Sequence, residues 1–327
     1  MQDLTIAGID ISAASLDICL STPEGGNRSL VIANEAKAIR KFFTSFTGSL
    51  LIGMENTGRY NWPLYEVLKD LPQHQVFVIP PLHLKRSLGL ARGKNDKIDA
   101  LRIAGFVRKN HDELPVWKPV PLTIQKLKVL LTERNDRIKE RSRLLKQQTD
   151  YAKMKFIGLD KELTAYNKQR QKVIREQIAL IEKSIESLIK QDEQVNERAK
   201  LIRSVPGAGK VLCWMMIAKT ENFQLITQPR KMACYSGVVP FEHQSGTSIR
   251  GKSRVSALAD KAIKTVLHLA AMSAIRLKND LRAYYLRKVA DGKNKMSVLN
   301  AIRNKIIHRI FAVVKNNSAY QNHLLLS

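Results

Sequence analysis

Four carboxylates stand where a polypeptide can do metal-assisted chemistry. Asp10 follows the apolar run at 4–9 (LTIAGI), and Glu55 follows the run Leu50–Met54, just before Asn56, Thr57 and Gly58. Asp96 and Asp99 are three positions apart in NDKIDA, a spacing that puts both on one helix face. If the two apolar runs are neighbouring strands, Asp10 and Glu55 project from one edge of a sheet. Taken singly, each acid has a plain structural reading: an Asp after a strand is a turn or cap residue, and an Asp pair at a helix start serves the helix dipole. Taken together they repel one another, and such a cluster is stable mainly when a cation neutralises it. Hard oxygen ligands favour Mg²⁺ or Mn²⁺, which can position phosphate oxygens and activate a nucleophile.

A second constellation lies far downstream. Ser245-Gly246-Thr247-Ser248-Ile249-Arg250-Gly251-Lys252-Ser253-Arg254 packs hydroxyls, glycines and cations together. The glycines allow close backbone approach to a phosphate, and Arg250, Lys252 and Arg254 can stabilise charge on a phosphoryl group. A hydroxyl here could attack phosphorus and form a covalent link. The alternative is a phosphate-binding loop without chemistry, with Thr247 and Ser248 as hydrogen-bond donors. Residue types alone favour that alternative and do not separate Ser245 from Thr247 or Ser248 as nucleophile. His243 is nearby, as a proton shuttle or a surface contact. Upstream, LIRSVPGAGK at 201–210 precedes an apolar run and resembles a helix-hairpin-helix turn, in which Gly207, Gly209 and Lys210 would meet phosphate at a helix N-terminus. Many helical hairpins use Pro-Gly simply as a turn.

The elements that must position these residues read as follows. Strands at 4–9, Leu16–Leu20 and Leu30–Ala33, joined by turns, suggest an antiparallel meander. A helix over 35–46, a strand Leu50–Met54, a helix Trp62–Leu68 and a strand Gln75–Ile79 follow, with Pro80 and Pro81 closing the last. A helix over 96–109 opens on Asn95 or Asp96 as cap and carries Ile98, Leu101, Ile103, Phe106 and Val107. Acids after the first and fourth strands and on a later helix suit a ribonuclease-H-like α/β domain. Residues 110–121 hold three prolines and mark a boundary. Residues 122–200 are polar and helical, with Ile174, Ile178, Ile181, Ile185 and Leu188 in a 4-3-4-3 spacing. That seam fits an internal antiparallel hairpin or a dimerising coiled coil. Residues 201–315 read as mainly helical, interrupted by a loop at Phe241–Arg254. The expected domains are 1–115, 116–200 and 201–327.

Charge follows the same division. The whole chain of 327 residues carries +26. Residues 1–115 hold 14 Lys and Arg against 12 Asp and Glu, 116–202 hold 20 against 12, and 203–327 hold 21 against 5. A near-neutral end rich in acids is thus joined to a body suited to a polyanion, and nucleic acid is the expected partner. Cys19, Cys213 and Cys234 lie far apart with no CxxC pair, which speaks against a zinc site or disulfide frame and for buried thiols in a reducing compartment. The N-terminus shows no signal-peptide pattern, and no apolar run approaches the ~20 residues of a membrane span. A cytoplasmic protein is expected.

The ordered segments GIDIS (8–12), GMENTG (53–58), NDKIDA (95–100), SVPGAGK (204–210), YSGVVP (235–240) and SGTSIRG (245–251) resemble the DEDD transposases of the insertion sequence 110 family over nearly the whole chain. The resemblance implies a RuvC-like N-terminal domain, a coiled-coil connector and a C-terminal transposase domain. It makes Asp10, Glu55, Asp96 and Asp99 the tetrad and Ser245 the nucleophile, and it implies strand exchange through a phosphoserine intermediate with Mg²⁺ held by the tetrad. It further implies donor and target DNA, an element-encoded bridge RNA, dimers that pair into tetramers with a serine of one subunit serving another's carboxylates, and association with the nucleoid. Asn95 stands where the family pattern has Thr. Two other readings of the same residues are a Holliday-junction-type nuclease, with the carboxylates activating water and no covalent adduct, and a non-catalytic nucleic-acid-binding protein.

Overall fold

A computed structural model describes residues 5–88, 95–239, 241–245, 249–256 and 258–321, with backbone only at 86–88, 241–245 and 249–254. The chain divides into two compact units, Met1–Pro119 and Val120–Ser327.

In the first unit, β1 (Thr5–Ile11), β2 (Ser15–Ser21) and β3 (Asn27–Ala33) form the expected meander. They are followed by α1 (Ala36–Phe43), β4 (Leu50–Glu55), a short 3-10 helix (Gly58–Asn61), α2 (Trp62–Leu68), β5 (Gln75–Ile79), α3 (Pro81–Leu88) and α4 (Asp96–Asn110). The sheet order is β3-β2-β1-β4-β5, with β1, β2 and β3 antiparallel and β4 and β5 parallel to β1. Strand alternation sorts the side chains onto two faces. Ala7, Ile9, Ile11, Ile52 and Met54 pack under α1 and α2 with Ile39, Phe43, Leu64 and Val67. Ile6, Cys19 and Leu51 pack on the other face under Ala100, Ile103, Ala104 and Val107 of α4. The prolines read as a strand terminator also begin α3, because Pro81 at a first helical position loses no needed hydrogen bond.

The buried stripe of α4 differs from the one its bulky residues suggest. Ile98 and Leu101 are exposed, and the small Ala100 and Ala104 are buried instead. The cause is close approach to the sheet. A Cβ on Gly8 would lie 2.2 Å from the Ala100 carbonyl oxygen and 2.4 Å from the Ala104 nitrogen. Gly53, the register partner of Gly8 on β4, would meet Val107 Cγ2 at 2.4 Å. Two glycines side by side thus make the floor on which α4 rests.

In the second unit, α5 (Leu122–Tyr151), a 3-10 helix (Ala152–Ile157) and α6 (Asp160–Gln191) form a long antiparallel hairpin. Its register is marked by Arg134 donating to Glu182 at 2.7 Å, Asn167 Nδ2 to the Leu144 carbonyl at 3.0 Å, and Gln171 Nε2 to Gln148 Oε1 at 2.7 Å. Buried amides with fixed partners specify one register, since any slip would strand them. Ile174 and Ile185 of the isoleucine stripe are buried, and Ile178, Ile181 and Leu188 are half-buried. Next come α7 (Glu193–Ser204), α8 (Lys210–Thr220), α9 (Pro229–Tyr235), β6 (Phe241–Ser245), β7 (Ile249–Arg254), α10 (Lys261–Ala274), α11 (Asp280–Ala290) and α12 (Lys295–Asn316). Every residue from Leu212 to Ala218 is buried, which makes α8 the central helix of this core. Cys213 lies within it, and burial pushes its thiol up to about 12, so it is inert at neutral pH. Cys19 and Cys213 are the expected buried thiols, and Cys234 is half-buried. Among the described residues no helix is long and apolar enough to cross a membrane.

Candidate active site

The alternation that builds the sheet also aims the acids. Gly8 and Asp10 are two apart on β1, as are Gly53 and Glu55 on β4, so each acid shares the face of its glycine and lies on the α4 side. Asn95 opens α4 in an extended conformation, with its side-chain oxygen accepting from the Lys97 amide at 3.2 Å. Asn95 thus satisfies one of the free amides of the first turn as an N-cap. Asp96 and Asp99 then occupy the first turn of α4.

The electrostatics bear on all four positions. The Asp10 carboxyl is raised to about 6, first by burial, then by the charges of Asp96 and Asp99, with a smaller contribution from Glu55. The Ile11 amide, donating to Asp10 Oδ1 at 3.1 Å, opposes this only in part. Glu55 is raised by burial and by Asp99, against the pull of Lys85. Asp99 accepts from Arg102 Nη1 at 2.8 Å. A fifth acid joins them: Asp17 on β2 is the register partner of Asp10, and it is raised by burial and by Asp96, against Lys97. Among the described residues no group of three His, Cys, Asp or Glu lies close enough to hold a metal ion. The donor set, all hard oxygen and mutually repelling, suits a divalent cation. Ligation requires the acids to draw closer than they stand here.

Two buried asparagines hold the loops that carry these acids. Asn61 is fully buried; its Nδ2 donates to the Glu55 carbonyl at 2.9 Å, and its Oδ1 accepts from the Thr57 amide and hydroxyl, both at 2.8 Å. Asn34 Nδ2 donates to the carbonyls of Ser12 at 2.9 Å and Tyr60 at 3.0 Å, tying the turn after β1 to the loop after β4. Asn61→Leu keeps the bulk but strands the Glu55 carbonyl and Thr57 amide, at a cost of about 2–3 kcal/mol. Urea denaturation should show a lower midpoint at unchanged slope.

The second constellation lies in the other unit. The segment expected to be a loop at Phe241–Arg254 is an antiparallel ribbon, β6 with β7, in which Ser245 pairs with Ile249 across a three-residue connection. Ser245 is the last residue of β6; Arg250, Lys252 and Arg254 lie on β7; Gly246, Thr247 and Ser248 fall outside the described residues. The chain entering the ribbon is braced from two sides. Tyr235 Oη donates to Asp260 Oδ2 at 3.2 Å, and Asp260 also pairs with Lys219 at 2.7 Å and caps α10. Asn300 Nδ2 donates to the Val238 carbonyl at 2.7 Å. One turn on, the guanidinium of Arg303 is buried against His268 Nδ1 at 2.7 Å, and burial lowers its pKa.

Between α7 and α8, Gly207 has φ +85°, and a Cβ there would lie 2.3 Å from the Ala270 carbonyl oxygen, so this glycine seats the turn against α10. Gly209 is the N-cap of α8, and it and Lys210 are exposed at that helix N-terminus.

Residues 7–156 match the IS110 DEDD family model, described as transposase, and residues 199–286 match the model described as transposase IS116/IS110/IS902 family. The chain belongs to the IS110 family of transposases. It is 24% identical to the pilin gene-inverting proteins of Moraxella lacunata and Moraxella bovis, over 98% of each chain. It is 22% identical to the transposase for insertion sequence element IS1111A of Coxiella burnetii, over 98% of this chain and 92% of that one. An IS110 transposase is a DNA recombinase, so the enzyme acts on phosphodiester bonds. Asp17, Asn34, Asn61 and the glycine floor escaped the sequence reading. Asp17 was visible only through its register with Asp10, and the asparagines only through the loops they join.

Proposed function

We propose that this transposase exchanges DNA strands through a phosphoserine intermediate formed on Ser245. The observation that carries the reading is the placement of Asp10 and Glu55 at the ends of β1 and β4, under the acidic first turn of α4, in a chain of this family. Ser245 Oγ attacks a backbone phosphorus and a DNA hydroxyl leaves; a second DNA hydroxyl then attacks the same phosphorus and frees the serine, so the bond energy is conserved. Arg250, Lys252 and Arg254 offset charge on the phosphoryl group, with Thr247 and Ser248 as donors. Gly207, Gly209 and Lys210 form a helix-hairpin-helix-like turn, in which the α8 N-terminus receives a further phosphate. Asp10, Glu55, Asp96 and Asp99 would hold Mg²⁺ or Mn²⁺, which neutralises phosphate oxygens when bound.

The reading divides the chain into a carboxylate domain at 1–115, a coiled-coil connector at 116–200 and a serine domain at 201–327. It includes dimers that pair into tetramers, choice of donor and target DNA by a bridge RNA, and a protein found on the nucleoid when active. The relatives named for gene inversion and for transposition both suit an enzyme that rejoins what it cuts. Ser245→Ala should abolish the covalent protein–DNA adduct on a denaturing gel and lower recombination by at least about 10³-fold, with DNA binding unchanged. Cleaved DNA with free ends and no attached protein in the wild type would replace this reading with a metal-dependent nuclease.

A further inference from the structure

A cleft of about 360 Å³ lies between α11 and α12. Asp280, Tyr284 and Arg287 line it from α11, and Lys305 and Arg309 from α12. Arg309 already has a partner in Asp280, which also accepts from Tyr320 Oη at 2.9 Å. Lys288, nearby, pairs with Asp291. Arg287 and Lys305 join no ion pair among the described residues, and both are exposed. They nevertheless gather on one ring: Lys305 Nζ is 4.7 Å and Arg287 Cζ 5.9 Å from the centre of Tyr284.

Two cations drawn to one ring from different helices repel each other, and at an exposed site the ring quadrupole offsets that only weakly. A multiply charged anion offsets it far better. The surroundings select the kind of anion. Residues 276–309 hold ten Lys and Arg against two Asp, so the cleft sits in a strongly positive field that concentrates a polyanion rather than a single small ion. The match to the family's C-terminal model ends at residue 286, so Arg287, Lys305 and Arg309 lie beyond it.

We propose that this cleft binds the phosphodiester backbone of a nucleic-acid strand, with Arg287 and Lys305 each holding a phosphate and Tyr284 keeping the two cations together. The assignment rests on the reading of the chain as a recombinase of nucleic acid, but it needs no chemistry from Ser245.

The test is the salt dependence of binding by the full chain, followed by fluorescence anisotropy with three probes: a DNA duplex, a single-stranded DNA and an RNA of the same sequence. Arg287→Gln/Lys305→Gln removes two phosphate contacts from exposed positions. The slope of log affinity against log salt should fall by about 1.4–1.8, and affinity at moderate salt by roughly ten-fold. Loss on the DNA probes alone assigns the cleft to a DNA strand, and loss on RNA alone to a guide strand; either supports the proposal. The control Lys172→Gln/Lys183→Gln removes two exposed cations from α6 and should leave the slope unchanged. An unchanged slope in the cleft variant overturns the proposal and leaves the recombinase reading standing. An equal loss in the control also overturns it, because the effect is then bulk charge. A wild-type protein that binds none of the probes overturns both.

Discussion

Asp10→Asn is expected to stabilise the metal-free protein while removing its activity. The Asp10 carboxyl is raised from 3.8 to about 6 by burial and by the charges of Asp96, Asp99 and Glu55. A raised carboxyl binds protons more tightly in the folded chain than in the unfolded one. Folding stability therefore falls as pH rises from about 4 to about 6, and the deficit is complete at neutral pH and absent below about 4. Two pH units correspond to a ceiling of ~2.7 kcal/mol; discounted for partial solvent screening, about 1–2 kcal/mol is expected. The amide of Asp10→Asn carries no charge, so the sheet-bearing unit should melt a few degrees higher at pH 7. The difference should vanish by pH 4. Added Mg²⁺ should raise the melting temperature of the wild type, because a cation bound only by the folded state stabilises it, and should do so much less in the variant. Recombination should fall by at least about 10³-fold. A variant less stable than wild type at pH 7, or a gap that persists at pH 4, would mean that the Asp10 carboxylate is not held against its neighbours.

How far the sequence disclosed this site depends on which physical signal carried each part. The strands were legible because short apolar runs, LTIAGI at 4–9 and LLIGM at 50–54, each end in an acid or turn residues, as strands buried on both faces do. The ends of those runs put Asp10 and Glu55 at strand ends, and the sheet order then made the two strands neighbours. The face of α4 was not legible from bulk: Ile98 and Leu101 advertise a stripe that the fold exposes, while Ala100 and Ala104 are buried because glycines lie beneath them. Hydrophobic spacing measures how much a residue gains by burial, whereas a close helix–sheet approach is set by what is small enough to fit. Asp17 was hidden for a different reason. Seven positions separate it from Asp10, and only the antiparallel register of β1 and β2 makes them neighbours. The ribbon carrying Ser245 was misread as a loop because its residues are polar and rich in Gly, Ser and Thr. Its pairing is fixed by backbone hydrogen bonds that those side chains do not announce. Asn61 looks like one more loop polar residue, yet it is fully buried and ties Glu55 to Thr57.

The glycine floor yields a prediction that leaves every acid in place. Gly8→Ala puts a methyl group 2.2 Å from the Ala100 carbonyl oxygen and 2.4 Å from the Ala104 nitrogen. Both are backbone atoms of α4, so no side-chain rotation relieves the clash, and the helix must lift from β1. A cost of about 2–3 kcal/mol is expected from overpacking. Because Asp96 and Asp99 ride on the first turn of that helix, they move away from Asp10, and a displacement of about 1 Å can cost on the order of 100-fold in rate. The Asp10 carboxyl, losing two like charges, should titrate closer to its ordinary value, which carbon NMR of the side-chain carboxyl reads directly. Gly53→Ala is a built-in comparison, since its methyl meets side-chain atoms instead, Val107 Cγ2 at 2.4 Å and Ile103 Cγ2 at 3.1 Å. Trimming the neighbour in Gly53→Ala/Val107→Ala should therefore restore much of the recombination that Gly53→Ala loses. No truncation of a side chain on α4 should rescue Gly8→Ala, because the obstacle is the helix itself. Wild-type recombination and stability in Gly8→Ala would show that α4 is not seated on β1, and the acids of its first turn would then need another means of reaching Asp10.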